Sequence, residues 1–334
     1  MALLEVRDLG IELQTYRGLA RAVRDVSFTL ARGDTLGLVG ESGCGKSLTA
    51  MALMGLLPEG ARVTGSIRLD GKELVGLGEP ALAALRGNRV GMIFQEPMTA
   101  LNPVHTVARQ VAEPLRLHRN MPAAQAREQA IALLERVGIP DAARRADAYP
   151  HQFSGGQRQR ITIAMALACE PDLLVADEPT TALDVTVQKQ ILDLIRELVA
   201  ERGMALVLIS HDLGVIAQNV ARMMVMYGGS VVESGPTARV FAQRRHPYTQ
   251  GLFGARPALL APRGQRLVTI PGTVPELADL PAGCPFAGRC GFTAPACHHT
   301  PAASREVADG HQVRCLRLDA VDAASQLPTP QGAD

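Results

Sequence analysis

One stretch, Gly40-Glu41-Ser42-Gly43-Cys44-Gly45-Lys46-Ser47, constrains the fold of this chain more than any other, because it fits the pattern G-x-x-x-x-G-K-[ST]. Its glycines let backbone N–H groups turn inward around phosphate oxygens. The lysine can reach β- and γ-phosphates, and the serine can ligate Mg²⁺. The pattern carries weight only between a strand and a helix. Thr35–Val39 reads as a buried strand before it, and residues 46–57 read as a helix that stops at Pro58. The dipole of that helix favours an anion at its N-terminus. Gly40 through Leu48 is therefore the expected nucleotide cradle.

The rest of the chain repeats this alternation. Val23–Leu30, residues 65–71, Val90–Phe94, Leu173–Ala176, Ala205–Ile209, Met223–Met226 and Val231–Glu233 read as strands. Residues 104–150 read as mostly helical, with breaks expected at Pro114, Pro122 and Pro140. A further helix opens at Gly155-Gly156. Val187, Ile191, Leu194, Ile195, Leu198 and Val199 recur at the spacing of one helix face. Such alternation predicts an α/β fold, a mostly parallel sheet with helices packed on it. After about residue 245 proline and glycine become frequent and periodicity fades, so a boundary is expected between residues 236 and 256.

Length and charge narrow the function. A chain of 334 residues suggests two domains. Lys+Arg total 34 and Asp+Glu 33, a net charge of +1, which argues against a nucleic-acid partner but leaves room for a local phosphate site. Apolar runs such as Met204–Ile209 are far too short to span a bilayer. The N-terminus lacks the pattern of a signal peptide, so the expected compartment is the cytosol. Cysteines there stay reduced, and clusters of them more often bind metal.

Further motifs supply chemistry. Leu173–Asp177 is an apolar strand ending in two acids: Asp177 suits a Mg²⁺ contact, and Glu178 suits a general base for water attack on a γ-phosphate. Phe153-Ser154-Gly155-Gly156-Gln157 opens a helix with Ser154 as N-cap and glycine N–H groups as an anion site. Taken singly, each has a plainer reading as a cap or a strand end.

Taken in order, these motifs resemble those of the ATP-binding cassette ATPases, the nucleotide-binding subunits of ABC transporters. Residues 40–47 resemble the Walker A loop and Gln95 the Q-loop glutamine. Residues 153–157 resemble the signature motif, with Phe153 where leucine is usual. Residues 173–178 resemble Walker B with its catalytic glutamate, Ala182-Leu183-Asp184 the D-loop, and His211 the switch histidine. The resemblance implies a P-loop NTPase fold: a RecA-like core with an antiparallel β subdomain and a helical subdomain at about residues 97–170. The cassette would occupy residues 1–250. It also implies that ATP lies between the Walker A loop of one cassette and the signature of another, so that two cassettes form the active unit. Glu178 would be the general base, assisted by His211 and Gln95, while Ser47, Gln95 and Asp177 would arrange Mg²⁺. Ser154, Gly155, Gly156, Gln157 and Asp184 would face the partner's nucleotide. The aromatic that usually stacks on adenine is missing at Leu13; either Tyr16 replaces it or a leucine packs on the base.

Gln95–Pro103 and His246-Pro247-Tyr248-Thr249 resemble the dipeptide/oligopeptide importer branch, which includes nickel importers. That branch implies two membrane permease subunits, an extracytoplasmic solute-binding protein, a second cassette (a paralogue, or else a copy of this chain), and a peripheral position on the cytoplasmic face of the cell membrane. Peptide is the expected solute, with nickel or another small solute as the alternative. A non-transport ABC ATPase is the rival from a different class; it usually carries a long insert between Walker A and signature, which is lacking between Ser47 and Ser154. Within residues 251–334, Cys284, Cys290, Cys297 and Cys315 form a four-thiol set able to hold a metal. The branch resemblance implies a [4Fe–4S] cluster there, with Zn²⁺ as the alternative.

Overall fold

The computed structural model describes residues 2–96, 100–181, 183–255 and 270–325. Its strands, numbered along the chain, are β1 (Leu4–Thr15), β2 (Gly18–Leu30), β3 (Thr35–Val39), β4 (Arg62–Leu69), β5 (Lys72–Glu73), β6 (Val90–Ile93), β7 (Leu173–Asp177), β8 (Ala205–Ile209), β9 (Arg222–Tyr227), β10 (Ser230–Pro236), β11 (Arg305–Ala308) and β12 (His311–Val313). They form two sheets. One is antiparallel, in the order β2-β1-β4-β5. The other runs β11-β12-β10-β9-β3-β8-β7-β6, and its pairings from β9 to β6 are all parallel.

The parallel strands are apolar at almost every position because both of their faces are covered. Leu173, Val175, Val207 and Ile209 point into the core shared with the antiparallel sheet and the helix Lys46–Met54. Leu174, Ala176, Leu206 and Leu208 point the other way, into the core built with the helices Gly155–Leu167, Val185–Arg202 and Leu213–Asn219. Successive side chains of a strand alternate in this way. All the parallel strands end toward one edge, which is where open α/β sheets carry their ligands.

Two expectations need correction. Pro114 does not break its helix: Val107–Arg119 is continuous through it. Val107, Ala108, Val111, Ala112 and Leu115 bury one face there, and that burial outweighs the cost of about 3 kcal/mol for a proline inside a helix. The proline-rich C-terminal segment also has more regular structure than its texture suggests. β12 pairs antiparallel with β10, at Glu233↔Val313 and Ser234↔Gln312, so the extension adds two strands to the edge of the main sheet.

A buried polar knot fixes this junction. Glu233, fully buried, accepts from the backbone N–H groups of Arg245 at 2.8 Å and His246 at 2.9 Å, and its Oε1 lies 2.8 Å from His311 Nε2. Burial alone would raise the Glu233 carboxyl, but the hydrogen bonds from His311 and the two amides hold it below its ordinary value.

Candidate functional site

The loop from Gly40 to Ser47 joins the end of β3 to its helix, and two glycines show why. A Cβ on Gly40 would lie 2.2 Å from the Met226 carbonyl oxygen. Gly45 has φ +98°, and a Cβ there would meet the Ala22 carbonyl at 2.9 Å. The lysine is nearly buried, and its Nζ donates to the carbonyls of Gly40 at 2.8 Å and Glu41 at 3.0 Å. Cys44 Sγ lies 3.6 Å from the same Nζ; its thiol is buried, and that burial holds its pKa above the ordinary value. Ser42 and Gly43 occupy the exposed crest of the loop, and Leu48 packs against the core beneath it.

At the ends of β7 and β8 the remaining groups converge. Ser47 Oγ donates to Asp177 Oδ1 at 3.2 Å, joining the loop to the first acid of the strand end. Burial pushes the Asp177 carboxyl above its ordinary value, and the charge of Glu178 adds to this against the Ser47 hydrogen bond. Such a carboxylate is more stable with a cation beside it. Glu178 adopts a left-handed backbone, φ 46°, and its Oε2 is met by Gln95 Nε2 at 3.3 Å, Thr181 Oγ1 at 3.0 Å and His211 Nδ1 at 3.3 Å. The His211 side chain is otherwise open to solvent. A cavity of about 450 Å³ lies beside the loop, lined by Val39, Gly40, Glu41, His211, Asp212, Leu213 and Leu252. The chain thus brings Lys46, Ser47, Gln95, Asp177, Glu178 and His211 to one edge of the sheet, with a carboxylate oriented by three neighbours.

The signature residues are built differently. Ser154 caps the helix Gly155–Leu167 in a capping box: its Oγ accepts from the Gln157 N–H at 3.3 Å, and Gln157 Oε1 accepts from the Ser154 N–H at 3.2 Å. Gly156 touches the following helix, where a Cβ would come within 2.7 Å of Val187 Cγ1. Asp184 caps that helix by accepting from the Val187 N–H at 3.0 Å. Among the described residues, the hydrogen bonds of Ser154 and Gln157 do not reach the P-loop. Ala182 and residues 97–99 of the expected motifs lie outside the described residues.

Tyr16 stands at the turn between β1 and β2, 86% exposed, and its hydroxyl donates to Glu276 Oε2 at 3.0 Å. That hydrogen bond to a carboxylate raises its pKa.

The four cysteines of the extension form no disulfide. The Cys284 N–H donates to the Cys297 carbonyl at 2.7 Å. Burial pushes the Cys284 thiol up to about 11, with smaller contributions from Cys290, Cys315 and Cys297. Backbone N–H groups of Phe292 and Arg317 point at Cys290 Sγ and Cys315 Sγ, each at 3.4 Å. These are donor groups of the kind that metal-bound thiolates accept. Even so, among the described residues no three His, Cys, Asp or Glu side chains stand in a metal-holding arrangement, so the metal expected there has thiol chemistry in its favour but not converged geometry.

Three site neighbours escaped the sequence reading: Thr181, which donates to Glu178, and Tyr248 and Arg289, which both bind Glu41. Thr181 lies three residues after the general-base candidate and could have been suspected. The other two lie more than 200 positions from Glu41, and nothing in the local sequence links them to it.

Comparison with known proteins follows the same lines. The ABC transporter family profile matches residues 23–181, and that of the oligopeptide/dipeptide transporter C-terminal region matches residues 232–297. A putative peptide import ATP-binding protein of Brucella melitensis is 50% identical over 333 residues, covering 96% of this chain and 98% of that protein. The oligopeptide transport ATP-binding protein OppD of Mycobacterium bovis is 48% identical over 97% of this chain and 53% of its own length. Among solved structures, the dimeric ATP-binding cassette MJ0796 bound to ADP and Pi is similar with a TM-score of 0.63 and 27% identity, covering 70% of this chain and 98% of that one. CbiO1 of Clostridium perfringens, part of an ABC transporter complex, is similar with a TM-score of 0.61 and 26% identity, over 73% of this chain and 92% of that one.

Proposed function

The chain belongs to the ABC transporter family as an ATP-binding and ATP-hydrolysing subunit, and from that premise we propose that it powers a membrane importer of dipeptides and oligopeptides. One observation carries the catalytic half of this reading. The second acid after β7, Glu178, is held by Gln95, Thr181 and His211 beside a P-loop whose serine reaches Asp177. The peptide half rests on the C-terminal region match and on the relatives' names. Nickel and other small solutes have no observation in their favour.

The residues divide the chemistry as follows. The loop amides and Lys46 bind the triphosphate, whose oxygens offer Nζ a charged acceptor in place of the Gly40 and Glu41 carbonyls. Ser47, Asp177 and Gln95 are the groups to hold Mg²⁺, which when bound neutralises charge on the β- and γ-phosphates. Glu178 accepts the proton of the attacking water as its oxygen bonds to the γ-phosphorus and the bond to the β-phosphate bridge breaks. His211 holds Glu178 in line. Ser154, Gly155, Gly156, Gln157 and Asp184 face the nucleotide of a second cassette, so a dimer of cassettes completes each site, and its closure drives two permease subunits. Tyr16 serves the adenine. The cassette ends near residue 250 and the extension follows it. Among the described residues no helix is long and apolar enough to cross a membrane, which fits a subunit docked on the cytoplasmic face of a permease.

In the extension, Cys284, Cys290, Cys297 and Cys315 are the thiols that would hold a [4Fe–4S] cluster, which when bound would clip a segment poor in apolar core; their side chains would have to draw together to do so. Anaerobic purification yielding bound iron and sulfide checks this; stoichiometric zinc without iron contradicts it. The transport reading is tested by ATP hydrolysis in the assembled transporter. Wild type should turn over and Glu178→Gln should not; a wild type as inert as the variant contradicts it.

A further inference from the structure

We propose that Arg289, which the cysteine-bearing extension carries, is a positioning residue of the nucleotide site: it holds the Glu41 carboxylate out of the phosphate cradle and cancels its charge. This rests on the reading of residues 40–47 as the ATP loop.

The contact is two-pronged. Arg289 Nη1 lies 2.8 Å from Glu41 Oε2, and Nη2 lies 3.2 Å from Oε1. The arginine side chain is only 6% exposed, against 28% for the glutamate. The guanidinium is itself fixed. Its Nε donates to the Pro271 carbonyl at 2.8 Å, Nη2 donates to that of Gly272 at 3.3 Å, and Nη1 donates to the Tyr227 hydroxyl at 3.3 Å. A second group from outside the loop holds the same residue: the Glu41 N–H donates to the Tyr248 hydroxyl at 2.8 Å. Tyr227 packs edge to face against both Tyr248 and Phe286, which are tilted against each other, with ring centroids 4.6–5.3 Å apart, so the strand end, the helix Pro247–Gly254 and the extension form one support beneath Glu41.

The need for such support follows from charge. The loop must attract a polyanion, yet its second residue is an acid whose own carbonyl accepts from Lys46. A free Glu41 carboxylate would repel the phosphates and compete with them for the Lys46 ammonium. A bidentate arginine removes both effects in a fixed geometry that lysine cannot reproduce. Arg289 closes the short turn Ala287–Arg289 between Cys284 and Cys290, so the thiol cluster of the extension and the P-loop are joined through one side chain.

The experiment is titration of the full-length chain with Mg²⁺ and the fluorescent analogue MANT-ATP, alongside steady-state ATPase of the assembled transporter. Arg289→Ala is expected to weaken binding roughly tenfold and to raise KM for ATP by a similar factor, with kcat changed by less than about twofold. Arg289→Lys should fall between. The double variant Glu41→Gln/Arg289→Ala should recover most of the affinity lost by Arg289→Ala, because the offending charge is gone. Unchanged binding by Arg289→Ala overturns the proposal. So does a double variant as weak as Arg289→Ala, which would mark the arginine as scaffold for the extension. Failure of wild type to bind MANT-ATP is a different result and strikes the ATP reading itself.

Discussion

At the scale of a residue, the proposed mechanism turns on Glu178. Its left-handed backbone turns the carboxylate away from the path of β7, and Gln95, Thr181 and His211 then fix one oxygen within 3.0–3.3 Å. Glu178→Gln keeps the shape and most of these contacts but removes the proton acceptor. ATP affinity should therefore persist while kcat falls by about 10²–10⁴-fold. Loss of binding with kcat retained would reassign Glu178 to a structural role. Most of this constellation was legible in sequence because the motifs are contiguous: a P-loop, an acid pair at a strand end, a capped Gly-Gly helix. Tyr248 and Arg289 were not, because each acts through a contact that only folding creates, whereas Thr181 lies within one turn of Glu178.

At the scale of elements, legibility followed burial. β3, β7 and β8 read directly from the chain because strands covered on both faces are unbroken apolar runs. β1 is harder. It is interrupted by Asp8, at φ 47°, and by register shifts against β2, so its alternation is blurred. β11 and β12 are short and sit in a proline-rich context, and they become strands by pairing, β12 with β10 and β11 with β12. The helix Pro247–Gly254 shows how the extension is pinned. Its N-cap is His246, almost wholly buried, whose Nδ1 accepts from the Tyr248 N–H at 3.1 Å. Burial pulls this imidazole down to about 4 from 6.5, against the opposing charge of Glu233. The unfolded chain therefore binds the proton first. The neutral histidine's share of stability is complete above pH 6.5 and is lost as pH falls toward 4, by about 1.4 kcal/mol per pH unit at most. His246→Asn keeps a cap acceptor without that titration. Denaturant unfolding at pH 7 and pH 5 should show the variant gaining on wild type at the lower pH, and a pH-independent difference contradicts the assignment.

For the whole molecule, the arrangement is a division of labour. A parallel sheet brings Lys46, Ser47, Gln95, Asp177, Glu178 and His211 to one edge, and a separate helix capped by Ser154 carries the signature-like Gly155-Gly156. The C-terminal extension joins the sheet through β12 and reaches back to the P-loop through Arg289. Composition revealed none of this, since a net charge of +1 hides the proposed phosphate site, which is made of amides and one lysine. The central claim is that hydrolysis at this site drives peptide inward. It is tested most directly in sealed vesicles bearing the permease and both cassettes, with the solute-binding protein and a radiolabelled tripeptide outside and ATP on the cassette side. The account predicts ATP-dependent accumulation of the tripeptide with wild type and none with Glu178→Gln. Accumulation that persists in the variant, or that occurs with nickel ions and not with peptide, would contradict it.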